Sequence, residues 1–328
     1  EGRVIMRASG NPFHVWFPGP HGKGGTMVQK NSNRSRAKRG KWIFSISFHL
    51  PSFILYTVFL ILPMFASLYF SVLKWDGITT AKFVGVKNFV DLFTNDRYFI
   101  KVILNTVKSM AAGVCIQLPL ALVLAYLVYR TTRGFHFFQS VYFVPVVISA
   151  TVIGLMFSLF FNPSFGPVNA FFEAVGLKGW IKNWLTDPGV VLFSVIMPGI
   201  WQYIGYHFII LLAGMQSIPR EIIESAYIDG ANSTDIFFHI VIPNIKGMIQ
   251  VCLVICLTGA IKTFDIPYLM TQGGPGAEST FLSIYMYKEA FVDSSIGRGT
   301  AVAVCMLVLA LAVTFLVNGV FAFLNRKD

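Results

Sequence analysis

The chain has 328 residues, 55% of them hydrophobic and 12% charged, with a mean hydropathy of +0.65. Soluble domains carry roughly twice that charged fraction, so the soluble-enzyme folds are excluded and a bilayer is implied. The net charge of +11 does not point to nucleic acid, because six basic residues between Lys30 and Lys41, with no acid among them, directly precede a long apolar run, as a cytoplasmic flank does.

In chain order, residues 1–42 are expected to form a disordered, basic, cytoplasmic segment. Gly, Pro and His crowd residues 9–25 without any period that would build an element. Met27, followed by Val28, Gln29 and Lys30, reads as a start, which makes residues 1–26 a tag, linker or upstream extension. The segment lacks the apolar core of a signal peptide, so the first helix is expected to stay in place as an anchor. His21, Gly22, Lys23, Gly24, Gly25 and Thr26 superficially suggest a phosphate-binding loop. Phe17 stands where its first glycine belongs, however, and Gly24 where a Ser or Thr belongs.

A membrane-crossing helix needs about 20 mostly apolar residues. Six segments are predicted: Ile43–Leu73, Val102–Val128, Phe135–Phe161, Gly189–Ile218, Met248–Thr271 and Thr300–Asn325. Lys108 interrupts the second, and Lys262 and Asp265 the fifth. The domain is thus residues 43–325, all-α with six helices, ahead of a short tail, 326–328. An even number of crossings puts both termini on one side, and the basic residues at Arg34–Lys41, Arg130, Arg133, Arg326 and Lys327 place that side in the cytoplasm. One loop, residues 74–101, runs against the rule: it is assigned outside yet carries Lys74, Lys82, Lys87, Arg97 and Lys101 beside Asp76, Asp91 and Asp96. Pro63, Pro119, Pro145, Pro198 with Gly199, and Pro267 interrupt the helices, which membrane helices tolerate where neighbours satisfy the freed backbone groups.

The sequence nominates no catalytic residue and no metal site. Cys115, Cys252, Cys256 and Cys305 all lie in apolar segments and read as packing residues. Cys252 and Cys256 share a helix face but lack further ligands, and the six histidines are scattered.

Residues 217–246, between the fourth and fifth helices, are not a plain linker. Pro219 fits a first helical position, Glu221 and Glu224 follow where acids favour a helix N-terminus, and Ile222, Ile223, Ala226 and Tyr227 form one apolar stripe. Gly230 stops this helix. Asn232 with Asp235 three residues later reads as the cap of a second short helix carrying Phe237, Phe238, Ile240 and Val241 up to Pro243. The loop is therefore helix, turn, helix. Composition leaves two covers open for its apolar faces: lipid with the protein's own helix ends, or a soluble partner.

The pattern Glu224, Ser225, Ala226, three residues, Gly230, nine residues, then Ile240, Val241, Ile242 and Pro243 resembles the "EAA" loop of permease subunits of binding-protein-dependent ABC importers. It departs at Ser225 and Ile242, where that pattern has Ala and Leu. Ile228, Asp229, Gly230 and Ala231 resemble the carbohydrate-uptake branch, which includes the large membrane subunit of the maltose transporter. Phe83 to Phe89 followed by Asn105 and Thr106, and Thr271 to Pro275 followed by Ser279, Thr280, Tyr287, Ala290 and Phe291, resemble two further segments of that branch. The resemblance covers about residues 45–325. It implies the type I ABC importer permease fold, with Glu224, Ser225, Ala226, Asp229, Gly230, Ala231, Ile240 and Pro243 coupling the membrane helices to a separate ATPase. It also implies two copies of that ATPase, which would bind the ATP and Mg, a second permease as heterodimer partner, an extracytoplasmic solute-binding protein, and the prokaryotic cytoplasmic membrane. The chain itself would bind no cofactor.

Polar groups at membrane depth usually face a cavity or the protein interior. Trp201, Gln202, Tyr203 and Tyr206 on the fourth helix, and Thr258, Lys262, Thr263 and Asp265 on the fifth, suit a sugar pathway, since aromatic faces stack on sugar rings while amides and hydroxyls meet the OH groups. Lys262 and Asp265 are three apart and are expected to pair with each other. Lys108, were it to face the pathway with Lys262, would favour an anionic sugar. Gly273, Gly274 and Pro275 are read as an outer turn meeting the binding protein, or else as a tight connection. The competing readings are an ion-gradient-driven secondary transporter with Lys262 and Asp265 as charge relay, and a membrane-embedded enzyme.

Overall fold

A computed structural model describes residues 47–130, 135–324 and 326. The expected start at Met27, the basic run Lys30–Lys41, Arg133 and Lys327 lie outside the described residues. The chain comprises two compact units, residues 1–62 and 63–328. The described part of the first, residues 47–62, is helical with no residue buried. In sequence this helix, α1 (Ser47–Ser71), is apolar and long enough to cross a membrane.

Within the second unit, β1 (Leu73–Lys74) pairs antiparallel with β2 (Lys82–Phe83), Leu73 opposite Phe83. The Asp76 carboxylate fastens the turn between them by accepting from the Ile78 and Thr79 amides at 2.9 and 2.7 Å. Helix α2 (Lys87–Thr94) follows. Its buried Asn88 donates to the Ser71 and Leu73 carbonyls, each at 2.8 Å.

Helix α3 (Phe99–Tyr129) is the next long apolar helix. The third predicted crossing is not one helix but two, α4 (Phe135–Val147) and α5 (Ala150–Phe160), bent by 91°. Pro145 denies the end of α4 a backbone donor, and Ser149 restarts the chain as N-cap of α5, its hydroxyl accepting from Thr151 N at 3.3 Å. After the short α6 (Pro167–Ala174) comes α7 (Val191–Gln216). The interhelical loop holds α8 (Arg220–Ile228) and α9, residues 233–244. The fifth predicted crossing is α10 (Lys246–Lys262) and α11 (Asp265–Thr271), broken where Thr263 and Phe264 leave helical geometry. Then come α12, residues 282–292, and the last long helix, α13 (Ile296–Leu324). The described residues thus contain five helices able to cross a membrane, or six with the bent pair as one.

Three of the prolines are accommodated by a recurring device. Wider π-type turns at Thr57–Ile61, Gly113–Gln117 and Ile236–Val241 each end two residues before a proline: Pro63, Pro119 and Pro243. Such a turn shifts the local hydrogen-bond register and makes room for a ring that donates nothing. Glycines let elements approach closely: a Cβ at Gly205 on α7 would lie 1.9 Å from the Tyr142 carbonyl oxygen of helix α4, and one at Gly297 on α13 would lie 1.9 Å from that of Leu73 in strand β1.

Candidate functional site

A cavity of about 390 Å3 lies between α7, the α10–α11 break and the middle of α3. Gln202, Tyr203 and Tyr206 from α7, with Lys262, Thr263 and Asp265 from the break, line it. Six of the eight pathway candidates are therefore brought together. Trp201 and Thr258 are not among the lining residues: the Trp201 ring packs 5.7 Å from Phe157, and the Thr258 hydroxyl is spent on the Val254 carbonyl at 2.7 Å.

Gln202 is only 4% exposed. Its amide nitrogen donates to the Ile148 carbonyl, a group freed by the α4–α5 bend, at 3.0 Å. Its Oε1 is buried with no partner among the described residues. A buried acceptor left unsatisfied costs about 1–3 kcal/mol, so this oxygen has a standing preference for a donor. Gln117 and His207, which the sequence reading passed over, share the same wall, joined through Gln117 Nε2 and His207 Nδ1 at 2.9 Å. The signal that nominated Gln202, a polar side chain within an apolar helix, applied equally to both.

The expected Lys262–Asp265 pair does not form. No ion pair between them occurs among the described residues, because the backbone leaves helical geometry at Thr263 (φ −56°, ψ 118°) and Phe264 (φ −135°, ψ −61°) and three-residue spacing no longer stacks their side chains. Each faces the cavity instead. Lys108 is exposed on α3 and is not among the lining residues. The cavity wall contributed by this chain thus carries one cation and one carboxylate, not two cations.

The helix–turn–helix is as predicted in outline. Pro219 sits one position earlier than expected, as the cap before Arg220. Gly230 has φ +82°, the left-handed region in which a side chain costs about 1–2 kcal/mol. Asn232 and Asp235 form a reciprocal capping box: Asn232 Oδ1 accepts from Thr234 N and Asp235 N at 2.9 and 3.0 Å, and Asp235 Oδ2 accepts from Asn232 N at 3.1 Å. The apolar stripe divides. Ala226 is buried, with Ile236 and Val241, in the cluster formed by Phe208, Leu211 and Met215 of α7 and Ala125 and Tyr126 of α3, against which Ile223, Ala231, Phe237 and Ile240 also pack. Ile222, Tyr227, Ile228 and Phe238 are exposed, as are Glu224, Ser225, Asp229 and Pro243. The motif residues therefore split between an inner face that anchors the element and an outer face left bare.

The glycine turn after α11 is tight and internally clamped. Gln272, Gly273 and Gly276 all take positive φ, and the Gly274–Pro275 bond is cis. The Thr280 hydroxyl donates to the Gly273 carbonyl at 2.8 Å and the Ser279 hydroxyl to that of Gly274 at 2.6 Å. Gly273 is buried and Gly274 and Pro275 are half-buried, so of the predicted outer-contact residues Gly273 serves the fold of the turn. Asn105 of α3 reaches across and donates to the Ala277, Glu278 and Thr280 carbonyls at 2.9, 3.0 and 3.1 Å. Next to it Thr106 Oγ1 accepts from Leu282 N at 3.2 Å. Two sequence segments far apart are thus one structural unit. Lys101, from the loop that broke the charge rule, pairs with Glu278.

An ionic cluster that the sequence did not disclose ties this region to α13. Arg298 Nη2 meets Asp96 Oδ2 at 2.6 Å and its Nε meets Glu289 Oε2 at 2.7 Å, while the Tyr285 hydroxyl donates to Asp96 Oδ2 at 2.5 Å. Burial pushes the Asp96 carboxyl up, but the Tyr285 hydroxyl, the Tyr98 and Phe99 amides and the Arg298 charge prevail and hold it below the usual carboxylate value. Burial and the same carboxylates push the Tyr285 phenol up. Among the described residues no three of His, Cys, Asp and Glu come together as a metal would require.

Comparison with known proteins places this architecture. Residues 117–327 match the family described as "Binding-protein-dependent transport system inner membrane component". The chain is similar to the probable ABC transporter permease protein YurN of Bacillus subtilis, 36% identical over 80% of this chain and 91% of that one. It is also similar to AmyD of Thermoanaerobacterium thermosulfurigenes, a probable starch degradation products transport system permease protein, 30% identical over 84% of this chain and 92% of that one. A crystal structure of a bacterial alginate ABC transporter, in complex with an alginate pentasaccharide-bound periplasmic protein, contains a chain that superposes with a TM-score of 0.75 at 26% identity, covering 87% of this chain and 95% of that one. Five or six apolar helices, a capped helix–turn–helix carrying the Glu224–Gly230 spacing, and a family match over residues 117–327 make the chain a member of the inner-membrane permease components of binding-protein-dependent ABC transport systems.

Proposed function

We propose that the chain is the permease subunit of an ATP-driven importer that carries a sugar or oligosaccharide into the cell. The observation that carries the reading is a shared scaffold: α7 and the α10–α11 segment line the polar cavity, and the same two segments are joined by the helix–turn–helix whose outer face is bare. A push on that face is therefore delivered to the cavity walls. The cavity suits sugar hydroxyls, with an unsatisfied amide oxygen at Gln202 and aromatic rings at Tyr203 and Tyr206. The starch-product and alginate systems to which the chain is similar support carbohydrate as cargo.

In this reading both termini lie in the cytoplasm, two copies of a separate ATPase bind ATP and Mg and close against α8 and α9, a second permease completes the pathway, and an extracytoplasmic binding protein delivers the cargo near the glycine turn. Glu224, Ser225, Asp229, Gly230 and Pro243 present the coupling surface, while Ala226, Ala231 and Ile240 seat it. Uptake in cells tests this directly: it should stop when the cognate ATPase is deleted and persist when an uncoupler collapses the ion gradient. The opposite pattern would identify a secondary transporter.

A further inference from the structure

We propose that four rings, Phe264, Tyr268, Tyr287 and Phe291, form a stacking track along which successive sugar rings pass between the cavity and the surface; this deepens the sugar reading above and rests on it. Phe264 and Tyr268 lie nearly parallel, 4.9 Å apart at 15°. Tyr287 meets both edge-on, at 5.4 Å to each, and Phe291 follows 5.5 Å beyond Tyr287. One end of the series, Phe264, lines the cavity. The other end, Phe291, is 68% exposed, and the two rings between are half-buried.

Two separate elements supply the rings. The α10–α11 break turns Phe264 and Tyr268, four apart, to one side of the short helix, while Tyr287 and Phe291 recur four apart on α12. Ser283, four residues before Tyr287, donates its hydroxyl to the Thr263 carbonyl inside the break and locks the two pairs side by side. Packing alone would not require a row of rings that begins in a polar cavity, stays half-open and ends bare. A ring face is electron-rich and the C–H bonds of a pyranose face are weakly positive, so the two stack without a fixed hydrogen bond. Such contacts permit sliding, which a track needs and a tight site does not. Two ring-to-ring steps separate Phe264 from Phe291, a reach suited to more than one sugar unit, so the track favours oligosaccharides over monosaccharides.

The test uses the full transporter, reconstituted with its ATPase, second permease and binding protein, and measures uptake of maltotetraose and of an alginate tetrasaccharide against the corresponding monosaccharides. Tyr287→Leu and Phe291→Leu should each raise KM for the imported tetrasaccharide about five- to tenfold, with kcat and monosaccharide uptake unchanged. Tyr287→Phe and Phe291→Trp, which keep a ring face, should behave as wild type and show that the fold tolerates change there. Leucine variants with wild-type KM, or a Tyr287→Phe variant as impaired as Tyr287→Leu, would overturn the track while leaving the sugar reading intact. Wild-type protein that imports the monosaccharides but neither tetrasaccharide would overturn the track alone, and one that imports none of these sugars would overturn both.

Discussion

The Tyr126 hydroxyl of α3 donates to the Ser233 carbonyl at 2.6 Å, and its ring lies 4.6 Å from that of Phe237. A residue near the end of one membrane helix thereby holds the start of α9, independently of the chain connections through α7 and α10. Tyr126→Phe removes a hydrogen bond of about 1 kcal/mol but keeps the ring contact, and should lower the uptake achieved per ATP hydrolysed by less than half. Tyr126→Leu removes both and should lower it severalfold. Parallel measurement of uptake and hydrolysis in proteoliposomes distinguishes this from lost assembly.

Gly230 takes φ +82°, and a Cβ built there meets nothing within 4 Å. The cost of a side chain is thus conformational, about 1–2 kcal/mol, not steric. Gly230→Asp should reach the membrane and assemble yet hydrolyse ATP without import, whereas Gly230→Asn, which adds no charge and is the residue found after Gly at left-handed helix ends, should retain partial uptake. Normal import by an assembled Gly230→Asp variant would remove Gly230 from the coupling role.

Asn105 Nδ2 lies 2.9, 3.0 and 3.1 Å from three carbonyl oxygens, which share its two N–H donors. Asn105→Ala should destabilise the 277–280 segment by about 1–3 kcal/mol, and Asn105→Leu similarly. Limited proteolysis would register this as faster cleavage between Thr271 and Leu282, with the α3–α7 region unaffected.

Asp96 gives a pH dependence of defined sign. Its carboxyl lies below the ordinary value of 3.8 in the folded protein, so its contribution to stability is fully present above that value and is lost as pH falls through the lower folded value. Thermal unfolding of the detergent-solubilised protein should show an acid limb below about pH 4. Asp96→Asn should be less stable at neutral pH and show a shallower limb. An unchanged limb would mean that other carboxylates govern it.

Lys262 faces the cavity and Lys108 does not. Lys262→Gln should therefore alter the ratio of uronate to neutral oligosaccharide uptake, and Lys108→Gln should leave that ratio unchanged. A shift on changing Lys108 alone would place that residue on the pathway through a neighbouring subunit.

The parts legible in the sequence were those encoded locally. Hydropathy gives the apolar helices, the Asn232–Asp235 spacing gives the capping box, and Gly230 gives a left-handed turn, because each depends on a few consecutive residues. The bend at Ile148 was not legible, since Pro145 is equally compatible with a straight membrane helix such as α7, which continues through Pro198. The Lys262–Asp265 expectation assumed an unbroken helix. The Asp96–Arg298–Glu289 cluster joins residues up to 202 positions apart, and no spacing rule reaches that far. Asn105 and Thr280 both belong to segments that the resemblance singled out separately, but their meeting is a property of the fold.

The near right angle between α4 and α5 changes what that stretch of chain can transmit. A straight rod delivers thrust along its own axis, whereas two half-length levers meeting at an elbow convert thrust on one arm into a sideways sweep of the other. The Gln202 amide spans that elbow and the cavity together, with its nitrogen on the Ile148 oxygen and its own oxygen without a partner among the described residues, so whatever claims that oxygen also bears on the pivot.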